Sequence, residues 1–123
     1  MGSILLVEDE TIVAMENKMN LIAAGFLVVG IVPSGNEAIQ KAIEAKPDLI
    51  VMDIKLKGEI DGIEAMTKIR QQSNTPVIFL TGNSDARTRE RIENVANSSY
   101  LVKPVFHRIL HNEINRMLAK KSA

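Results

Sequence analysis

Five residues stand directly after short apolar runs and carry groups that can do chemistry together: Glu8, Asp9, Asp53, Thr81 and Lys103. Three carboxylates brought side by side repel one another, which raises their pKa values or recruits a cation. Hard oxygen ligands favour Mg²⁺, which takes one or two carboxylates together with waters and phosphate oxygens. The Thr81 hydroxyl can donate to a phosphoryl oxygen, and the Lys103 ammonium can pair with one as a point charge. A metal, a carboxylate nucleophile and two electrophilic stabilisers make up a phosphoryl-transfer site. Each residue alone has a plainer use, since a carboxylate after an apolar strand also caps the helix that follows. There is no Gly-rich phosphate loop of Walker type, so a nucleotide is not the indicated substrate.

The elements that would bring these groups together are legible in the apolar pattern. Runs at residues 4–7, 27–32, 49–52, 77–80 and 100–102 are rich in Val, Ile and Leu. Most are continuous rather than alternating, as in strands buried on both faces of a parallel sheet. Segments with helical spacing lie between them, which implies right-handed βαβ units and an α/β fold. In such a sheet, ligands bind outside the carboxyl ends of the strands, near the switch in strand order. That is where the chemically competent residues fall. Gly25 is expected as a left-handed cap after the first helix, and Asn97 as another before the fifth strand. Ser34-Gly35-Asn36-Glu37 has capping-box spacing for the second helix. Lys46-Pro47-Asp48 and Asn74-Thr75-Pro76 end the second and third helices, and Pro104 is expected to start the last.

Length and composition bound the class. The chain has 123 residues, 46% hydrophobic and 24% charged, with formal net charge zero. One domain over residues 1–123 is expected. With no cysteine there is neither a disulfide framework nor a thiolate metal site. No apolar run approaches the length of a membrane span, and the start lacks the basic region of a signal peptide. A cytoplasmic domain with no direct nucleic-acid role is expected. The zero charge hides a split. Ten of the fifteen Asp and Glu lie in residues 1–61, and ten of the fifteen Lys and Arg in residues 62–123.

The segments Leu5-Leu6-Val7-Glu8-Asp9-Glu10, Val51-Met52-Asp53-Ile54, Asp61-Gly62-Ile63-Glu64, Phe79-Leu80-Thr81-Gly82 and Tyr100-Leu101-Val102-Lys103-Pro104 resemble the receiver domain of two-component response regulators. The resemblance covers nearly the whole chain, with the motifs in order and in the right strand context. It implies a flavodoxin-like, doubly wound sheet of five parallel strands in order 2-1-3-4-5 with five helices, as in chemotaxis receivers. It implies that Asp53 accepts a phosphoryl group from the phosphohistidine of a sensor histidine kinase or a histidine phosphotransferase. Asp9 would hold Mg²⁺ directly and Glu8 through water, with Asp53 and the Lys55 backbone carbonyl as further ligands. Thr81 and Lys103 would contact the phosphoryl group, and Tyr100 would be the switch aromatic that turns inward with Thr81. The responding surface would be helix four, strand five and helix five, which is also where a homodimer would form. Lys55 and Asn83, two residues beyond Asp53 and Thr81, occupy positions that tune loss of the phosphoryl group.

Some features depart from the family pattern or sit outside it. Glu8 stands where many members have Asp. The loop Asp53-Ile54-Lys55-Leu56-Lys57-Gly58-Glu59-Ile60-Asp61-Gly62 lacks the proline common four residues after the acceptor. It is also one residue longer before Asp-Gly, and Gly58 is expected to absorb the extra residue. The first helix carries two apolar stripes. Family register places Val13, Asn17, Leu21 and Ala24 on the core. Ile12, Met15, Met19 and Ile22 then face the side where kinases and phosphotransferases dock, the alternative being a generously buried helix. Phe106, Ile109, Leu110, Ile114, Met117 and Leu118 supply the apolar face of the last helix. His107 and His111 are four apart there, but two ligands do not make a zinc site. Arg87, Arg89 and Arg91 crowd helix four, as solvated surface or as a face for an acidic partner or dimer mate. Two rivals to the phosphoacceptor reading are a pseudo-receiver that never takes phosphate and a phosphohydrolase with an Asp nucleophile. The first is opposed by the intact site residues. The second is opposed by Lys55, which stands where such enzymes often carry an acid.

Overall fold

Leu49–Asp53 (β3) and Val77–Thr81 (β4) are buried at every position in the computed structural model, which describes residues 2–122. Met1 and Ala123 lie outside the described residues. Full burial on both faces is what their unbroken apolar runs require. Ser3–Val7 (β1) pairs with β3 on one side and with Leu27–Val32 (β2) on the other. Ser98–Val102 (β5) closes the opposite edge against β4. All pairs are parallel and the order is β2-β1-β3-β4-β5, as the resemblance implied. The order reverses between β1 and β3, so the crevice for a ligand opens at the carboxyl ends of those strands.

Five helices alternate with the strands: Thr11–Ala23 (α1), Gly35–Ala45 (α2), Gly62–Arg70 (α3), Ala86–Glu93 (α4) and His107–Ser122 (α5). Strand side chains alternate between the sheet's two faces. Leu5, Val7, Ile50, Met52, Val77 and Phe79 share one core with residues of α2, α3 and α4. Ile4, Leu6, Leu49, Val51, Ile78 and Leu80 share the other with Leu21, Leu110, Ile114 and Met117.

The helix ends follow their local chemistry. Gly25 at φ +97°, Lys46 at +45° and Asn97 at +55° take the left-handed conformation at or near helix ends. Gly58 does so at +108°, and so turns the longer loop after β3. Ser34 caps α2 by accepting from the Glu37 N–H at 3.2 Å, but its hydroxyl donates to the Glu37 carboxylate, so the reciprocal half of the box is absent. The complete box is at α3, where Asp61 accepts from the Glu64 N–H and Glu64 accepts from the Asp61 N–H.

Three expectations are corrected. The last helix starts at His107, with Pro104 in the preceding turn after a cis Lys103–Pro104 bond. On α1 the buried residues are Ala14 and Leu21, whereas Val13 and Ala24 are exposed and Asn17 half-buried. The small Ala14, one position on from Val13, lets the helix lie close on the sheet with a narrow contact stripe. Phe106 and Ile109 also face outward, leaving Leu110, Ile114 and Met117 to bury α5.

Candidate functional site

Glu8 follows β1 and its N–H donates to the Val32 carbonyl at 3.0 Å, which pins the carboxylate over the sheet edge. It is buried, and its carboxylate accepts from the Glu10 N–H at 3.1 Å. Carboxylate oxygens of Glu8, Asp9 and Glu10 all lie within 4.8 Å of one another. Glu10 was not assigned a role from the sequence, although three consecutive acids after an apolar run were the signal. Burial pushes the Glu8 carboxyl up to about 7. The Glu10 N–H opposes the rise, the Asp53 charge adds to it and Lys103 opposes it. A desolvated carboxyl beside other acids gains from a nearby positive charge when it ionises. The oxygen-rich donor set therefore fits a hard divalent cation such as Mg²⁺.

The burial of Glu8 sets a pH dependence for the metal-free protein. Folded Glu8 keeps its proton to about 7, whereas unfolded Glu8 releases it near 4.5. Between these values the folded state binds more protons, so stability falls as pH rises and levels off above about 7. Chemical denaturation across this range should show the fall in wild type and its loss in Glu8→Gln. Parallel profiles for the two proteins would contradict the assignment.

Asp53 ends β3 and is buried, 4% exposed. Its Oδ2 accepts from Lys103 Nζ at 2.9 Å, and the Lys103 ammonium reaches it from the end of β5. The Lys103 N–H donates to the Thr81 carbonyl at 2.8 Å, so the β4 and β5 ends are locked together. Below Asp53, Gly62 N–H donates to the Ile54 carbonyl at 2.8 Å. A Cβ on Gly62 would lie 2.2 Å from the Asp53 carbonyl oxygen, so only glycine admits α3 this close to β3. Asp61, beside it, also accepts from Arg91 of α4 at 2.8 Å. The Asp61-Gly62 pair thus ties three elements together.

Thr81 is buried, and its hydroxyl donates to the Asn83 carbonyl at 2.7 Å while accepting from the Asn83 N–H at 3.0 Å. Asn83 in turn bonds Asp85, which caps α4 through the Thr88 N–H at 2.8 Å. These capping bonds hold the Asp85 carboxyl below its ordinary pKa. An Asn at position 83 therefore joins the Thr81 turn to the start of α4. A Cβ on Gly82 would meet nothing within 4 Å, so the space beside Thr81 is open. Lys55 is exposed, and Tyr100 is half-buried against the core under α4.

Ile12, Met15, Met19 and Ile22 are 46–76% exposed, so the second stripe of α1 is a free apolar face. Phe106 at 68% exposure and Ile109 at 49% add to the exposed apolar surface, on the segment leading into α5 and on α5 itself. Asn20 of α1 lies 3.0 Å from His107 of α5, so these two helices are neighbours. His111 packs against Phe26, and burial lowers its pKa. Among the described residues no helix is long and apolar enough to cross a membrane.

Residues 4–115 match the family model described as response regulator receiver domain. The chain is 36% identical over 101 residues to the transcriptional regulatory protein PdtaR of Mycobacterium tuberculosis, covering 82% of this chain and 49% of that protein. It is 35% identical over 130 residues to the signal transduction histidine-protein kinase BarA of Escherichia coli, covering 94% of this chain and 14% of BarA. A solved signal receiver domain of a modulated diguanylate cyclase from Desulfovibrio desulfuricans superposes with TM-score 0.90 at 34% identity, covering 99% of this chain and 97% of that one. The chain thus spans less than two-thirds of either full-length relative.

Proposed function

The chain belongs to the response regulator receiver domain family, and on that premise we propose that residues 1–123 form one receiver whose phosphoacceptor is Asp53. The observation that carries the reading is the buried Asp53 carboxylate, held by Lys103 at 2.9 Å and near enough to Glu8 of the acidic cluster for its charge to act on it. Asp53 attacks phosphorus on a phosphohistidine, the P–N bond breaks and the freed imidazole leaves. Lys103 moves its charge from the carboxylate to a phosphoryl oxygen, where the developing charge is greatest. Thr81 gives up its bond to the Asn83 carbonyl and donates to a second phosphoryl oxygen. Glu8, Asp9, Asp53 and the Lys55 carbonyl are the residues that would hold Mg²⁺, with Glu10 as a neighbour. The bound cation supplies positive charge that offsets the phosphoryl oxygens and the clustered acids.

The response passes to the β5 edge of the sheet. Release of Asn83 loosens the turn that caps α4, and Tyr100 follows Thr81 inward. The nearly two added charges of the acyl phosphate bias this two-state surface, formed by α4, β5 and α5. The same surface is the candidate for a homodimer. Lys55 and Asn83 flank the acceptor and set the access of water, which determines how long the acyl phosphate lasts. The domain acts as a switch rather than as an enzyme on an outside metabolite, in the cytoplasm and without direct contact with nucleic acid or membrane. The test is phosphorylation by acetyl phosphate. The adduct should require Mg²⁺ and be released by hydroxylamine, the mark of an acyl phosphate. A hydroxylamine-stable adduct would contradict it.

The free face of α1 is the docking surface for a sensor kinase or phosphotransferase helix. Met15→Glu with Met19→Glu should cut transfer from the phosphohistidine protein at least tenfold while labelling by acetyl phosphate stays within twofold. Both positions are solvent-exposed, so the fold tolerates the charge. Parallel loss of both reactions would instead mark damage to the fold.

A further inference from the structure

A cavity adjoins the phosphoacceptor, and its apolar walls have no place in the transfer as described. It is a cleft of about 500 Å³ between α1 and the segment joining β5 to α5. Its walls are the apolar side chains of Val13, Leu80, Val105 and Leu110. Asn17 sets one amide among them, and among the described residues no hydrogen bond engages that amide. At the cleft's acidic end stand Glu8 and Glu10, together with Lys103. The volume falls within the range of small-molecule sites, and an apolar pocket with a few placed polar groups is their usual make-up.

We propose that this cleft is a leaving-group subsite that seats the neutral, apolar acyl group of a small-molecule acyl phosphate while its phosphoryl group meets Asp53. The proposal rests on Asp53 being the phosphoacceptor. Lys103 is the link, because it lines the cleft and also lies 2.9 Å from Asp53 Oδ2. The reaction balances without a further reagent. Asp53 Oδ forms a bond to phosphorus, the bond from phosphorus to the acyl oxygen breaks, and the acyl carboxylate departs with that electron pair. Asn17 can donate to the acyl carbonyl. The apolar walls select against a second negative charge on the acyl part, because burying an unpaired carboxylate there is costly. The site therefore favours an aryl or alkyl acyl group over a dicarboxylate.

Acetyl, benzoyl and 4-carboxybenzoyl phosphate test this with the full chain and Mg²⁺, reading the rate of adduct formation by intact mass. The benzoyl-to-acetyl rate ratio should be about tenfold higher in wild type than in Val13→Trp or Val105→Trp, each of which fills the cleft from a different wall. Comparing ratios removes the donors' own difference in reactivity. The 4-carboxybenzoyl-to-acetyl ratio should be the same in wild type as in the filled variants. Each filled variant should still bind beryllofluoride, which shows that it folds. A benzoyl ratio unchanged on filling, or a 4-carboxybenzoyl ratio that falls with it, overturns the cleft and leaves Asp53 as acceptor. No adduct on wild type with any donor overturns both.

Discussion

Gly62→Ala should destabilise the domain by about 3 kcal/mol, the upper end of what overpacking ordinarily costs. The added Cβ would lie 2.2 Å from the Asp53 carbonyl oxygen and 2.8 Å from Met52 Cγ. The methionine side chain can yield, but the carbonyl belongs to β3 and is held inside the sheet. Relief requires moving either the strand end or the start of α3, which the Asp61–Glu64 capping box and the Arg91 ion pair both anchor. The expected readout is a denaturation midpoint lower by about 10 °C. Acetyl phosphate should label the folded fraction more slowly, because the end of β3 shifts. Gly82→Ala is the control. Its Cβ would meet nothing within 4 Å, so its stability should stay within about 0.5 kcal/mol. If Gly62→Ala were equally silent, the close approach behind Asp53 would carry no weight.

Lys103→Met should weaken beryllofluoride binding about 10–100-fold, the range expected when a hydrogen bond to a charged group is lost. The methionine keeps much of the apolar stem and removes only the ammonium. Two effects add. The phosphoryl mimic loses its cation, and Asp53 loses the partner at 2.9 Å that offsets its burial. The second effect is moderated because Lys103 is 38% exposed on its side chain, so water partly screens the pair. Tyr100 offers a reporter. It is the only tyrosine in a chain without tryptophan, so intrinsic emission follows this one ring. Titration should move wild-type emission and leave Lys103→Met nearly unchanged over the same range. An affinity within twofold of wild type would remove Lys103 from the proposed phosphoryl-contacting set.

The parts of this molecule that were legible in the sequence are those whose physics is local or periodic. The runs at 49–52 and 77–80 could be read as two-sided strands because burial on both faces leaves no polar alternation. Gly58 could be read as the turn residue because a loop one residue longer must put its excess somewhere. Strand order came only with the family resemblance, since parallel pairing is set by contacts far apart in the chain. The strand before Tyr100 was read two residues short, because Ser98 and Ser99 pair in the sheet without apolar side chains. The core register of α1 was misread because Ala14 fills its contact with one methyl group, which an apolar count undervalues against Val13. Within the site, the strand-end positions of Asp53, Thr81 and Lys103 were foreseeable from where the apolar runs stop. The Lys103–Asp53 pairing and the Arg91–Asp61 bridge join residues 50 and 30 positions apart, and only the folded chain brings them together.

The most direct test of the central claim is intact mass after incubation with acetyl phosphate and Mg²⁺, for wild type and for Asp53→Asn. The asparagine keeps the shape of the side chain and removes its nucleophilic oxygen anion. Wild type should gain one phosphoryl group, and Asp53→Asn should gain none while remaining folded. An equal adduct on the mutant would contradict Asp53 as the acceptor. No adduct on wild type, with no response to beryllofluoride, would contradict the phosphoacceptor reading itself.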